Sequence, residues 1–203
     1  MKLYYFPGAC SLSPHIALHE SGLAFEAVRV DPRTRTLPDG SDFYALQPLG
    51  YVPLLELADG TRLAEGPAIV QYIADQAPER GLAPPNATMA RTRLQSWLNF
   101  VSTELHKGFT PMFSPAMPEE TKQAFRDKLK PMLTWLDGQL AGQAYLMGET
   151  FTVADGYLFT VTMPYRAARA GVDLAAYANL RAFRERVGAR SAVRAAMAAE
   201  GIG

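Results

Sequence analysis

Cys10 is the only cysteine of the chain. It stands in "YYFPGACSLSPHIALHESG", residues 4–22, where an aromatic, strand-like run gives way to a helix start. A thiol reacts as its thiolate. Free cysteine titrates near pH ~8.5, and the unpaired N–H groups at a helix N-terminus favour the charged form. The position suits a nucleophile or a disulfide-exchanging sulfur. A small buried hydrophobe is the other reading of a lone cysteine, and the local sequence leaves both open.

Two further stretches carry groups that could hold a ligand beside that sulfur. "YVP", residues 51–53, precedes an apolar run. A cis Val52–Pro53 bond would present the N–H and C=O of Val52 at a sheet edge, where an extended peptide can pair as an added strand. "EGPAI", residues 65–69, opens a helix at Gly66 with Glu65 beside it. N–H groups at a helix start hold a carboxylate, and Glu65 can hold an amine. The set fits a small zwitterionic peptide whose sulfur meets Cys10. His106, in "STELHKGF", is a candidate for hydrogen bonding or proton transfer, with a core-edge histidine as the plain alternative. His15 and His19 are four apart on one predicted helix, a metal-ligand spacing. No cysteine accompanies them and the pattern is not His-Glu-x-x-His, so no metal site is expected.

These residues need elements to position them. Residues 2–6, "KLYYF", read as a strand ended by Pro7 and Gly8. A helix follows, with Ser11 or Ser13 as its cap, Pro14 in its first turn and Gly22 as its stop. Residues 25–31 alternate as a half-buried strand does, giving a βαβ unit with a right-handed crossover. Residues 31–50 read as a long loop with one helical turn near residues 42–46. "VPLLELADGTRLAEG" is a hairpin turning at Asp59–Gly60, and "GPAIVQYIADQAP" is a helix. The first domain is therefore α/β, a four-stranded mixed sheet built as βαβ followed by ββα.

Composition changes in the Pro-rich stretch around residues 78–88. The expected division is a first domain over residues 1–80, a linker over 81–87 and an all-α domain over 88–203. In the latter, helices are expected from "ARTRLQSW" to a bend at Pro111 and Pro115, and through "PEETKQAFRDKLKPMLTWLDGQL" with a kink at Pro131. Others are expected through "FTVADGYLFTVTMPYRAARAG", over residues 177–187 and over 190–199. Leu94, Trp97, Phe100 and Val101 recur at helical spacing and read as core or interdomain positions. "TVAD", residues 152–155, has capping-box spacing and a structural role, while Phe151 at the staple position faces only Gly156.

Bulk properties exclude several classes. Twenty basic and twenty acidic side chains cancel, so nothing draws the chain to nucleic acid or anionic lipid. The basic stretch "RAFRERVGAR" spreads its charges around a helix and reads as a solvated face. No apolar run approaches the ~18 residues of a membrane span. The start does not read as a signal peptide, and a single cysteine forms no internal disulfide, so a reducing cytoplasm is expected.

With "MKLYYFPGACSLSPHIAL", "VPLLEL", "EGPAIVQYIAD", "WLNFVSTELHKGF" and "FTVADGYLF" in register along essentially the whole chain, the sequence resembles the bacterial, cysteine-dependent beta class of glutathione S-transferases. The resemblance implies a thioredoxin-like N-terminal domain, a helical C-terminal domain and a two-fold homodimer. The implied activity is detoxifying conjugation of glutathione to hydrophobic electrophiles, with glutathione as co-substrate and no resident cofactor. By position, Cys10 contacts the glutathione sulfur and can form a mixed disulfide with it. Val52, next to a cis Pro53, pairs with the cysteinyl backbone. Glu65 and Gly66 hold the γ-glutamyl end. Arg35 stands where the family usually has Lys; it keeps the charge for the glycyl carboxylate with a different reach. Asn99, Thr103, Glu104 and His106 line the site from the second domain. Glu104 reaches toward the partner subunit's glutathione, and His106 joins Cys10 as a catalytic residue near the sulfur. Phe109, Met112, Phe113 and Tyr165 form a permissive acceptor pocket. Tyr5 resembles the tyrosine that activates glutathione in other classes, but a packing role is expected for it here. Two other activities fit the same residues: a glutathione-dependent thiol–disulfide oxidoreductase, and a non-catalytic ligand carrier or regulatory protein on the same fold.

Overall fold

A computed structural model of the chain describes Met1–Ile202. Cα packing divides it into two compact units: Met1–Ala83 with the segment from Arg190 onward, and Pro84–Ala189.

The first unit is built on a four-stranded sheet in the order β2-β1-β3-β4. β1 (Lys2–Tyr5) pairs in parallel with β2 (Glu26–Arg29) and antiparallel with β3 (Leu54–Glu56), which pairs antiparallel with β4 (Arg62–Ala64). This is the mixed βαβ-ββα sheet expected from the sequence. As a central strand β1 is buried on both faces at Leu3, Tyr4 and Tyr5. β2 is an edge strand, as β4 is; it is shorter than the expected 25–31 and mostly exposed, because it has a neighbour on one side only. α1 (Leu12–Ser21) crosses between β1 and β2, and Gly22 ends it at φ 71°, returning its N–H to the Leu18 carbonyl. α2 (Gly66–Gln76) follows β4 with Pro67 in its first turn, where the missing N–H costs nothing.

The serines do not cap α1 as the sequence suggested. Ser11 turns back, its hydroxyl accepting from the Phe6 N–H and donating to the Phe6 carbonyl, both at 3.2 Å. Ser13 is buried and its hydroxyl has no partner among the described residues. The long loop is pinned where expected, by a helical turn at Phe43–Ala45 whose Asp42 cap accepts from Tyr44 N–H at 2.9 Å. Phe43 is fully buried against Tyr4, Val30, Val52 and Leu54, with Phe6 and Ala9 packed on the same cluster. Burying a phenylalanine of this kind contributes about 2–3 kcal/mol, so the cluster fixes both the Cys10 loop and the Val52 loop on one apolar support. The last helix, α9 (Ser191–Glu200), packs on α1. The sequence reading grouped it with the helical domain by composition, whereas its packing groups it with the sheet.

The second unit is helical. α3 (Met89–Phe100) begins at Thr88, whose hydroxyl accepts from Arg91 N–H at 3.1 Å. It runs into a π-helical segment at Val101–His106, then α4 (Lys107–Phe109) and a 3-10 turn at Thr110–Phe113, where Pro111 tightens the end. α5 (Glu119–Gln139) continues as one helix through Pro131. The expected third helix is split into α6 (Val153–Val161) and α7 (Pro164–Ala170), because Pro164 has no N–H to continue the ladder and is suited to a first turn. α8 (Ala178–Gly188) completes the unit. Its core joins Leu94, Leu98, Leu105 and Phe109 to Leu129 and Leu133 of α5 and Phe183 of α8. Gly108 permits the close approach of α4 and α5, since a Cβ there would lie 2.7 Å from Leu129. Leu94 and Val101 are core as expected. Trp97 and Phe100 are half-buried, and pack with Trp135 at ring distances of 5.6 and 4.9 Å. No described helix is long and apolar enough to cross a membrane.

Candidate functional site

The expected site residues fall in both units. In the first, Cys10 precedes α1 by two residues and is half-buried. Its Sγ donates to the Val52 carbonyl oxygen at 3.3 Å, and the Val52–Pro53 bond is cis. The loops carrying the sulfur and the proline are thus in direct contact. Gly66 lies beside this pair: a Cβ on it would stand 3.9 Å from the Pro53 ring.

Glu65 and Arg35 share an uncommon backbone. Both have positive φ, 66° and 59°, and Ala87 is the other non-glycine residue in that region. Such conformations cost of order 1 kcal/mol or more and persist where the surroundings over-determine them, often at ligand clamps. At Glu65 the carbonyl accepts from Ala68 and Ile69, so the first turn of α2 dictates the conformation, and the side chain is left exposed. At Arg35 the Asp31 carboxylate accepts from the Arg33 and Thr34 N–H groups at 2.7 and 2.9 Å, which also holds its carboxyl below the usual range. The Arg35 backbone is tied to Asp31 and Phe43. The Arg35 guanidinium lies 4.7 Å from the Phe6 ring centroid and donates to the Pro32 carbonyl.

Tyr5 is buried, its ring 5.4 Å from that of His15, and burial followed by the nearby Glu200 charge raises its hydroxyl above the ordinary value. It stays protonated and packs. His15 and His19 stack at 5.2 Å with Phe25 on their edges, inside the fold. His15 Nδ1 is bound to Glu200 Oε1 at 2.9 Å, and Glu200 Oε2 accepts the Gly8 N–H at 2.8 Å.

In the second unit the π-helical segment carries the other candidates. Asn99 and Thr103 are exposed, and the Thr103 hydroxyl lies within hydrogen-bonding distance of both the Asn99 carbonyl, 3.0 Å, and the Glu104 carboxylate, 3.1 Å. His106 Nδ1 is 2.9 Å from the Tyr157 hydroxyl of α6. Burial, then the Arg166 and Lys107 charges, push the His106 pKa down to about 4. The imidazole is neutral near pH ~7 and acts there as a hydrogen-bonding group, not a fixed cation. π-helical turns insert an extra residue into an α ladder and recur at functional sites. Elsewhere in this unit a cleft of about 490 Å³, lined by Pro164, Ala167, Val172, Leu174, Leu180 and Arg184, contains none of the expected site residues.

Residues 8–76 match the family model for the glutathione S-transferase N-terminal domain, and residues 100–191 match the model for its C-terminal domain. The chain is 45% identical to glutathione S-transferase GstA of Escherichia coli O157:H7 over 202 residues, covering 100% of both chains. The chain belongs to the glutathione S-transferase family. Among solved structures it is similar to a sphingomonad glutathione S-transferase complexed with glutathione, at 47% identity and TM-score 0.94, and to the beta-class enzyme of Sphingomonas chungbukensis, at 46% and 0.94. Each of these comparisons covers 100% of both chains.

Set against this glutathione S-transferase fold, the sequence reading missed the buried Glu200, which joins the chain's end to Gly8 across 192 positions. A glutamate at a helix end reads as a solvated charge, and nothing local marks it. It also missed Arg166 and Arg169, which flank the Phe113 ring; their i, i+3 spacing on a short helix was the available signal.

Proposed function

We propose that this member of the glutathione S-transferase family conjugates glutathione to hydrophobic electrophiles. The observation that carries the proposal is the half-buried Cys10 thiol held at 3.3 Å from the Val52 carbonyl, directly before a helix start. A sulfur so placed is reachable and lies beside a backbone edge that a peptide can use. The Val52 backbone takes the cysteinyl residue of glutathione, Glu65 and Gly66 take the γ-glutamyl end, and Arg35 takes the glycyl carboxylate. The Glu65 and Arg35 backbones support these assignments, because each is held at positive φ by local hydrogen bonds that fix where its side chain starts. On the second unit, Asn99, Thr103, Glu104 and His106 contribute polar contacts. His106 does so as a neutral hydrogen-bonding group beside Tyr157, so charge stabilisation of the sulfur falls to helix-end N–H groups.

Exposed Tyr44, Leu49 and Tyr51 within one eight-residue stretch support a homodimer, to be tested by light scattering. The activity is tested by retention on immobilised glutathione and by conjugation to 1-chloro-2,4-dinitrobenzene. Absence of both would refute the proposal.

A second reading, glutathione-dependent disulfide exchange, is supported by the accessibility of Cys10. The thiolate attacks oxidised glutathione, forms a mixed disulfide and releases one glutathione thiolate. Cys10→Ala separates the two chemistries: exchange disappears, whereas conjugation persists to the extent that glutathione's own sulfur is the nucleophile.

A further inference from the structure

We propose that the electrophiles preferred by this protein carry a carboxylate, which pairs with Arg166 and Arg169 beside Phe113. The inference rests on the proposed conjugation and on the Phe113 side of the second unit as the electrophile's seat.

The guanidinium carbons of Arg166 and Arg169 both lie 5.3 Å from the centroid of the Phe113 ring. The two arginines are three apart on α7, so their side chains share one face, and like charges so placed repel. Neither forms a salt bridge with a carboxylate among the described residues. Arg166 is half-buried, and its Nε–H is shut away from water with no acceptor among the described residues. A guanidinium is always charged, and a buried donor without a partner costs free energy until a ligand supplies one. The same cation reaches His106: Arg166 is the largest charge acting on it and Lys107 the next.

Of the residues adjacent in sequence, Met112 is buried and Tyr165 is exposed. Two other arginines of this unit are already engaged. Arg184 donates to the Phe159 carbonyl and the Thr162 hydroxyl, and Arg126 to Glu119 and Gln123. Arg166 and Arg169 differ from these: they form a cationic pair on an aromatic ring with no salt-bridged anion among the described residues. A carboxylate fits a guanidinium fork bidentately, and the ring accommodates an apolar body attached to it.

The test uses a matched pair of chloroarenes, 4-chloro-3,5-dinitrobenzoate and the corresponding uncharged benzamide. In both, the glutathione sulfur forms a bond to the ring carbon that carries chlorine. The C–Cl bond breaks, chloride leaves with the electron pair, and the thiol proton goes to solvent. Each kcat/KM is divided by the uncatalysed rate constant of the same substrate. The expected ratio of benzoate to benzamide is about tenfold or more for the natural chain, carried by KM. It falls by about tenfold in Arg166→Gln, is kept in Arg166→Lys, and falls partly in Arg169→Gln. Because Arg169 is exposed, the last variant remains informative if Arg166→Gln fails to fold. The ratio also falls as salt rises from about 20 to about 500 mM. A ratio near one, or a ratio that neither arginine substitution changes, would overturn the inference while leaving conjugation standing. Turnover of neither substrate would overturn the conjugation reading and this inference with it.

Discussion

The carboxylate of Glu200 accepts the backbone N–H of Gly8 at 2.8 Å with one oxygen and meets His15 Nδ1 at 2.9 Å with the other. Both side chains are buried. The end of the chain therefore fastens the Pro7–Cys10 loop from behind. Glu200→Ala leaves a buried donor and a buried imidazole without their acceptor, and is expected to cost about 3–5 kcal/mol. Glu200→Gln keeps an acceptor for Gly8 and should lose less. Denaturant unfolding of both variants checks this; equal, small losses would show that the contact contributes little.

Glu65 offers a separation of stability from binding. Its φ of 66° suits glycine better than glutamate. Glu65→Gly is expected to raise Tm by about 2 °C while reducing retention on immobilised glutathione. If stability and retention fall together, the backbone conformation is not strained by the side chain.

His106 makes a pH prediction. Burial holds its pKa at about 4 in the native state, against about 6.5 when unfolded. Between these values the unfolded chain binds a proton that the native chain does not, so the contribution is present above pH ~6.5 and lost as pH falls toward ~4. The loss amounts to about 3 kcal/mol, and His106→Gln should flatten the stability profile over that window. NMR titration of the imidazole gives the value directly; a normal midpoint would contradict the buried, neutral assignment.

What was legible in the sequence was what is local. The "KLYYF" strand, the Asp42 helical turn and the α2 start at Glu65–Gly66 each rest on neighbours a few residues apart, and each stands where it was expected. The serines before α1 were misread because Ser11 bonds back to Phe6, a competitor that cap propensities do not include. Pro164 was taken as helix interior although it is better suited to a first turn, so α6 and α7 were merged. The π-helical register at Val101–His106 leaves no mark in side-chain periodicity. The Glu200–Gly8 bond was invisible because 192 residues separate its partners.

The "TVAD" capping box behaves as its spacing implied. The Asp155 carboxylate accepts from Thr152 N–H at 2.7 Å, from the Thr152 hydroxyl at 3.0 Å and from Leu146 N–H at 2.8 Å. Phe151 packs on Tyr145 instead of forming a staple. Asp155→Ala should destabilise by about 2–4 kcal/mol through these lost bonds, read from thermal unfolding. An effect within about 0.5 kcal/mol would assign the loop's order to packing alone.

The most direct test of the account is the intact mass of the protein after incubation with oxidised glutathione and without reductant. A gain of one glutathione, located to Cys10, reversed by dithiothreitol and absent in Cys10→Ala, is the expected result. An unchanged mass, with a thiol that small alkylating reagents also fail to reach, would contradict the placement of glutathione at Cys10.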